Sequence, residues 1–272
     1  FDSDGFSTVA GTANNSRHNY TSQTFAVWNW KAGGTASSNS DGSITSSVSA
    51  NTDAGFSIVS FDGNNTSGAT VGHGLSQAPE LIILKGRNLS GSTASAGWVV
   101  YSEPVGNTKY LYLNEANAEA TDSGRWNDTT PTASVFTLGD DGVVNTGSSP
   151  YIAYCFHSVD AYSKVGSYTG NGNADGPFLY TGFRPAFVMF KDLGSVGGAN
   201  SWAILDNKRI TYNLNDYVLR PNINDATYHH DSGIDFVSNG IKIRSSNGMW
   251  NDADSYLYIA FAESPFKTSN AR

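Results

Sequence analysis

The segment Pro79-Glu80-Leu81-Ile82-Ile83-Leu84-Lys85 returns later in the chain as Pro185-Ala186-Phe187-Val188-Met189-Phe190-Lys191. Each contains a continuous apolar run, which is typical of strands buried on both faces. Their flanking motifs recur in the same order: Phe61-Asp62-Gly63-Asn64 and Tyr168-Thr169-Gly170-Asn171 before them, Gly97-Trp98-Val99-Val100 and Ser201-Trp202-Ala203-Ile204 after them. The chain therefore contains a tandem repeat with a unit of roughly 100 residues.

The elements that close this unit occur three times. A Gly-containing turn aligns Phe1-Asp2-Ser3-Asp4-Gly5 with Leu138-Gly139-Asp140-Asp141-Gly142 and with Phe236-Val237-Ser238-Asn239-Gly240. The apolar strand that follows aligns 25–30 with 151–156 and 256–261. The chain starts in the middle of a repeat, so we expect it to be part of a longer protein.

These alignments predict the organisation of the whole chain. The end of a preceding unit occupies 1–34, one β-sandwich repeat 55–160, a second repeat 161–266 and a C-terminal tail 267–272. The segment 35–54 between the first two is rich in Gly, Ser and Asn, and it is predicted to be a linker or an edge strand.

Composition sets the fold class. Hydrophobic residues make up 39% of the chain and charged residues only 15%, with Gly, Ser, Thr and Asn filling much of the rest. Such residues are poor helix formers, and Asp-Gly and Asn-Gly dipeptides supply tight hairpin turns. We predict an all-β protein of tandem antiparallel β-sandwich units, jelly-roll-like, with little helix. Segment 114–120 is the best candidate for a short helix.

The charge balance and the single cysteine narrow the range of partners. The net charge is −8, and no Lys/Arg cluster offers a basic stripe, so nucleic acid is not expected as a partner. No apolar run is long enough for a membrane helix, so no membrane insertion is expected. Cys155 has no disulfide partner within the chain and is predicted to be a small buried hydrophobe.

Residues that could carry chemistry each have a simpler reading as turn or surface residues. The turns at Asp2–Gly5 and Asp140–Gly142 resemble parts of a calcium loop but lack its distant Glu. His229-His230-Asp231 is predicted to be an exposed loop. The carboxylates that could form a glycosidase pair are interpreted as solvated loop acids: Glu103, Glu115, Glu119, Asp122 and Asp128. We predict no catalytic residues, no metal, no cofactor and no enzymatic activity.

Two Trp-containing segments are more suggestive of binding. Trp126-Asn127-Asp128 and Trp250-Asn251-Asp252 each place an indole beside amide and carboxylate groups. An exposed indole offers a flat apolar face to a sugar ring, while Asn and Asp bond its hydroxyls. These six residues are therefore the predicted contacts for a glycan or receptor. The alternative is that each Trp folds back onto its sandwich.

The repeat signature resembles tandem units in tail-fibre and other virion proteins of marine bacteriophages, cyanophages among them. The resemblance covers nearly the whole chain, although the last unit ends at 260–267 without the Trp-rich, Gly-Gly form. It rests on these segments: Tyr168-Thr169-Gly170-Asn171-Gly172, His73-Gly74-Leu75, Pro185–Lys191, Phe1-Asp2-Ser3-Asp4-Gly5-Phe6 and Phe25–Gly34.

What the resemblance implies is a virion structural protein at the virion surface, in a tail fibre or similar appendage, that supports host attachment. It implies other virion proteins as partners, a host-surface glycan as a possible ligand and, by analogy with phage fibres, a homotrimer. The alternatives are a lectin-like carbohydrate-binding module of an adhesin and, less favoured, a polysaccharide depolymerase.

Overall fold

A computed structural model describes residues 6–8, 24–89, 97–194 and 201–265. The chain divides into two compact units, Phe1–Lys31 and Ala32–Arg272. In the first unit the described residues, 6–8 and 24–31, form neither helix nor strand, and Phe25 and Val27 are about half exposed. Their counterparts Tyr151 and Ala153 lie in a strand hydrogen-bonded on both sides. No such neighbouring strands are described beside residues 24–31.

The second unit begins with a sandwich of one eight-stranded sheet, in the order β1-β2-β3-β10-β5-β6-β7-β8, and the pair β4-β9. All ladders between its named strands are antiparallel. We call it the first sandwich. Its elements are β1 (Ser37–Asn39), β2 (Ser46–Asn51), β3 (Phe56–Asp62), β4 (Ala69–Gly72), β5 (Leu81–Gly86), β6 (Val99–Ser102), β7 (Lys109–Tyr112), β8 (Ala120–Thr121), α1 (Ser123–Trp126), β9 (Val135–Leu138), α2 (Gly142–Asn145) and β10 (Pro150–Phe156).

The second sandwich contains two four-stranded sheets, β11-β18-β13-β14 and β12-β17-β16-β15. Its strand pairs repeat those of the first sandwich: β11-β18 corresponds to β3-β10, β13-β18 to β5-β10, and β12-β17 to β4-β9. Its strands are β11 (Ser163–Thr169), β12 (Phe178–Tyr180), β13 (Pro185–Asp192), β14 (Ala203–Asp206), β15 (Asn215–Val218), β16 (Tyr228–Val237), β17 (Gly240–Ile243) and β18 (Ser255–Ala262).

Each sandwich encloses its own hydrophobic core. In the first, Val71 and Phe136 of the strand pair β4-β9 face Ile82 and Ala153 of the large sheet. In the second, Leu179 and Ile241 lie in one cluster with residues of the opposite sheet such as Phe190. The lone thiol of Cys155 is buried in the first core, as predicted, and burial raises its pKa to about 12. It is therefore an inert packing group.

A third apolar layer joins the two sandwiches. Phe156 of β10 points away from its core and is buried as well, as are Leu257, Ile259 and Phe261 of β18, and the rings of Phe156 and Phe261 touch. Phe156 stacks on Phe56 with ring centroids 4.7 Å apart, and it meets Phe261 at 6.1 Å. Phe261 in turn contacts Phe187 at 5.9 Å. The sheet β11-β18-β13-β14 thus packs against the large sheet of the first sandwich, so the sheets described in the second unit stack as four layers.

The predicted all-β class with tandem antiparallel sandwiches is confirmed. The predicted burial of 187–190 on both faces is also confirmed, because all four residues are buried between a core and the joining layer. The short helix at 114–120 is wrong. Its backbone is used for tertiary contacts instead, since the Ala116 carbonyl accepts a bond from Lys191. The two helices that form, α1 and α2, are single turns, and no helix in the described ranges could span a membrane.

Candidate functional site

A buried asparagine ties two loops together in the first sandwich. Asn145 is fully buried at the end of α2. Its side-chain oxygen accepts the main-chain N–H of Asn64 at 2.8 Å, and its amide nitrogen donates to the carbonyls of Thr66 and Gly139 at 3.0 and 2.9 Å. A buried amide with all these partners is stabilising, because none of its polar atoms is left without a hydrogen bond.

Asn251 does the same in the second sandwich. It is fully buried, and its oxygen accepts the main-chain N–H of Asn171 at 2.8 Å. Its amide nitrogen reaches the carbonyl oxygens of Asn173 and Ser245 at 2.7 and 2.6 Å, and the side-chain oxygen of Asn171 at 3.0 Å. The two sandwiches therefore hold equivalent loops with equivalent side chains.

A tyrosine completes each site. The hydroxyl of Tyr151 accepts the N–H of Thr146 and donates to the carbonyl of Gly142, both at 2.8 Å. The hydroxyl of Tyr256 bonds Asp252 and Gly248 in the same way and at the same distances. Burial raises the pKa of both hydroxyls. We call Asn145 with Tyr151, and Asn251 with Tyr256, the two clamps.

The clamps explain the repeat motif that begins with Phe61 and Tyr168. Phe61 stacks on Tyr151 with an interplanar angle of 14°, and Tyr168 stacks on Tyr256 at the same angle. The Gly two residues after each aromatic allows a close approach of two backbones. A Cβ atom at Gly170 would collide with the carbonyl oxygen of Asp252, and one at Gly63 with that of Thr146.

The clamps also correct the alignment of the closing turn. The sequence comparison paired Gly142 with Gly240, but the structure pairs Gly142 with Gly248, because each carbonyl accepts the clamp tyrosine. Asp141 and Asn247 each bond the N–H two residues ahead. Ser238-Asn239 forms the β16-β17 turn instead, and Gly240 begins β17. The copy at Phe1–Gly5 lies outside the described residues.

The structure corrects the prediction for the two tryptophans. Trp126 is 1% exposed and Trp250 is fully buried, and each belongs to the core of its sandwich. Trp126 packs edge-on against Tyr101, and Trp250 against His230. Neither ring can stack on a sugar. Trp250 occupies the position that Val144 takes in the first sandwich, just before the clamp asparagine.

The polar residues beside them have structural roles. Asn127 ends α1 in the left-handed region with φ 52°, and its side chain accepts the hydroxyl of Ser67 at 2.8 Å. Asp128 is also left-handed, and its carbonyl accepts the amide of Asn107. Asn251 is the clamp residue, and the main-chain N–H of Asp252 bonds Tyr256. The six predicted contacts therefore do not converge on one surface.

Several of the remaining candidates for chemistry are engaged in local bonds. Asp122 caps α1, and Asp141 caps α2 while it pairs with the buried Arg125 at 2.5 Å. Glu119 forms an ion pair with Lys109. Within the described ranges, no group of three or more His, Cys, Asp or Glu residues could hold a metal ion.

His229 and His230 lie in strand β16, not in a loop as predicted. Successive side chains of a strand point to opposite faces. His229 is exposed and pairs with Asp216, whereas the ring of His230 packs on Trp250. The two imidazoles therefore do not form one site.

Polar bonds link the sandwiches around the joining apolar layer. Lys191 is fully buried, and its amine donates to the Ala116 carbonyl at 2.9 Å. The indole N–H of Trp202 donates to the Tyr112 carbonyl, also at 2.9 Å. Burial lowers the pKa of Lys191 to about 8, against the opposing effect of Asp192. These bonds fix the orientation of one sandwich on the other.

Two stacked sandwiches, each closed by an Asn–Tyr clamp, define a tandem all-β repeat protein. The chain belongs to a domain family of unknown function, DUF7483, whose profile matches residues 1–265. No curated protein and no solved structure is significantly similar to the chain.

Proposed function

We propose that the chain is a structural component of a bacteriophage virion, in a tail fibre or a similar appendage, that supports attachment to the host surface. One observation carries the proposal: the features that the two sandwiches share are packing and loop geometry. The clamps, the stacked aromatic pairs and the close glycines recur. The histidine pair and the Arg125 ion pairs do not.

Repetition of a scaffold without repetition of the histidine pair or of the Arg125 ion pairs fits a rigid spacer better than a duplicated active site. The joining layer of Phe156 and Phe261 and the buried Lys191 bond support the same role, because they make one stiff body of two sandwiches. The proposed setting is the virion surface, with other virion proteins as partners and a homotrimer as the assembled form.

The carbohydrate-binding alternative loses its stacking residues, since Trp126 and Trp250 are buried. What remains in those loops is Asp128 and the partly exposed Asn127 and Asp252. The depolymerase alternative needs a free carboxylate pair, whereas Asp122 and Glu119 are used for a cap and an ion pair. We therefore propose that host recognition lies outside the predicted loops.

The test is the composition of purified phage particles whose genome encodes this sequence. Mass spectrometry should find its peptides in the particles, and antibodies against the purified chain should slow adsorption to host cells. Particles that lack the peptides would overturn the proposal. Analytical ultracentrifugation tests the trimer separately, with an expected mass three times the 28.9 kDa of one chain.

A further inference from the structure

Residues 37–51 close one side of the first sandwich; we call this segment the strap. Its Ile44 is 7% exposed and bridges Val71 in parallel, with its N–H donating to the Thr70 carbonyl at 2.9 Å. The hydroxyl of Ser46 donates to the Gly72 carbonyl at 2.8 Å. The strap therefore covers the edge of β4 and adds an aliphatic side chain to the core.

The strap then continues along the neighbouring sheet. Its strand β2 pairs with β3, and Val48 and Ala50 pack against the first core. Val48 also fills the space above Gly74, where an added Cβ would lie 2.8 Å from its Cγ1. Two edges of the first sandwich, those of β4 and β3, are thus occupied by one extended segment of the chain.

The second sandwich has the same two edges. In the ladder β12-β17, Leu179 is paired with Ile241, and in the ladder β4-β9, Val71 is paired with Phe136. Counting from these pairs, Phe178 stands in the place of Thr70, Tyr180 in that of Gly72, and Gly182 in that of Gly74. Gly74 and Gly182 both have positive φ, 69° and 83°, which supports this register.

The equivalent place on the second sandwich is open in the described part of the chain. Strands β11 and β12 are both terminal strands of their sheets. Phe178 is 47% and Tyr180 is 66% exposed, high values for large apolar rings on one short strand. A Cβ atom at Gly182 would meet nothing closer than the Tyr180 hydroxyl oxygen, at 3.8 Å.

The short link between the sandwiches replaces only the end of the strap. Val159 forms a bridge with Ser163, which corresponds to the pairing of Asn51 with Phe56 in the first sandwich. The hydroxyl of Ser158 accepts the N–H of Val165. Beyond this point Ser167 takes the place of Ser60, which pairs with Ser47 of the strap in the first sandwich. Ser167 is exposed. The second sandwich thus has counterparts for residues 49–51 and none, in the described ranges, for 43–48.

We propose that this open edge binds an extended peptide segment of a partner protein, which adds beside β12 as residues 43–48 add beside β4. The occupant is an uncharged, Ser/Thr-rich segment with two aliphatic residues four positions apart, the pattern of Ile44 and Val48. In the first sandwich Asn39 lies directly over Gly72, and Tyr180 stands in the place of that glycine. The residue of the occupant that corresponds to Asn39 must therefore be small. Main-chain bonds to an edge strand supply affinity, and side-chain pockets supply selectivity.

Charge favours an uncharged occupant. The charged groups near this edge already pair with each other: Lys242 with Asp175 at 2.6 Å, and Arg244 with Asp235 at 2.7 Å. Segment 42–52 carries no charged residue. The inference does not depend on the virion assignment, since it rests only on comparison of the two sandwiches.

The experiment uses the intact chain and, as the probe, a fluorescent peptide with the sequence of residues 42–52. Saturable binding is expected, with slower hydrogen exchange at 177–181 and unchanged exchange at 69–72. Phe178→Asp with Tyr180→Asp should weaken binding roughly tenfold or more, because exposed aromatic rings carry much of the energy of such contacts. Tyr212→Asp is the matched control, since Tyr212 is 74% exposed and lies outside this edge. A peptide carrying Asp in place of Ile44 and Val48 should not bind.

Three results would overturn the proposal. The first is no binding of the peptide to the intact chain. The second is equal binding to the double Asp variant, or protection at 69–72, either of which would mean exchange with the strap of the first sandwich. The third is glycan-array binding that the double Asp variant loses while the peptide does not bind, which would make the surface a carbohydrate site.

Discussion

The side-chain oxygen of Asn251 accepts the main-chain N–H of Asn171 at 2.8 Å, and Asn145 accepts that of Asn64 at the same distance. The Asn145 bond ties the loop after β3 to the loop before β10, and the Asn251 bond ties the loop after β11 to the loop before β18. Removing one partner of a buried hydrogen bond costs more free energy than the net contribution of that bond to stability, because the other partner is left desolvated and unpaired. The clamps are therefore expected to dominate loop stability.

Asn251→Asp should destabilise the chain by about 3 kcal/mol or more, because a carboxylate would replace an amide that faces two carbonyl oxygens. Asn173→Asp in the adjoining loop is the matched control. The Asn173 side chain accepts one main-chain bond from Asp175, which a carboxylate also accepts. Urea unfolding of both variants measures the difference, and equal stabilities would show that the clamp amide is not needed.

His73 should make stability fall in acid. Its Nδ1 accepts the N–H of Leu75 and its Nε2 faces the Thr132 carbonyl, both at 3.1 Å, so the neutral ring fits the site. Burial lowers the pKa of His73 more than Thr132 and Asp41 raise it. The unfolded chain then binds the proton first, so stability is lost as pH falls below about 6.5. In His73→Gln, urea unfolding from pH 7.5 to 5 should show a smaller loss, and an unchanged slope would contradict the assignment.

Lys191 should affect stability in the alkaline range. Its folded-state pKa is about 8, whereas an unfolded lysine titrates near about 10.4. Between these values the unfolded chain binds more protons, so the contribution of Lys191 to stability rises with pH. Lys191→Met keeps the apolar stem and should remove this rise between pH 8 and 9.5 in urea unfolding. The same pH dependence in both proteins would argue against a perturbed amine.

The joining layer should make the two sandwiches unfold together. Phe261 touches Phe156 of the first sandwich and Phe187 of the second. Calorimetry should therefore show one transition for the described double sandwich, and Phe261→Ala should destabilise it by about 3–5 kcal/mol. Two resolved transitions in the unsubstituted chain would mean that the sandwiches are independent.

Much of this fold follows from the sequence. The apolar run at 187–190 indicates a strand buried on both faces, and the Asp-Gly and Asn-Gly pairs indicate turns. The site was harder to predict because Trp126 and Trp250 look alike locally and polar neighbours suggested exposure. Burial of a Trp depends on which sheet covers it, and sequence spacing does not report that. The sequence does contain a signal for the clamps: Asn145 and Asn251 both stand three residues after a turn glycine.

The account rests most directly on the equivalence of the two clamps, and replacing each hydroxyl tests it. Tyr151→Phe and Tyr256→Phe each remove one hydrogen bond from a main-chain N–H and one to a carbonyl, although the Gly142 carbonyl keeps the hydroxyl of Thr146. Urea unfolding should show similar losses of about 1–3 kcal/mol for the two variants. Tyr154→Phe is the control, because that half-buried ring stacks on Trp98 through its face. Losses no larger than that of Tyr154→Phe, or a loss in only one sandwich, would contradict the claim that both are closed by the same device.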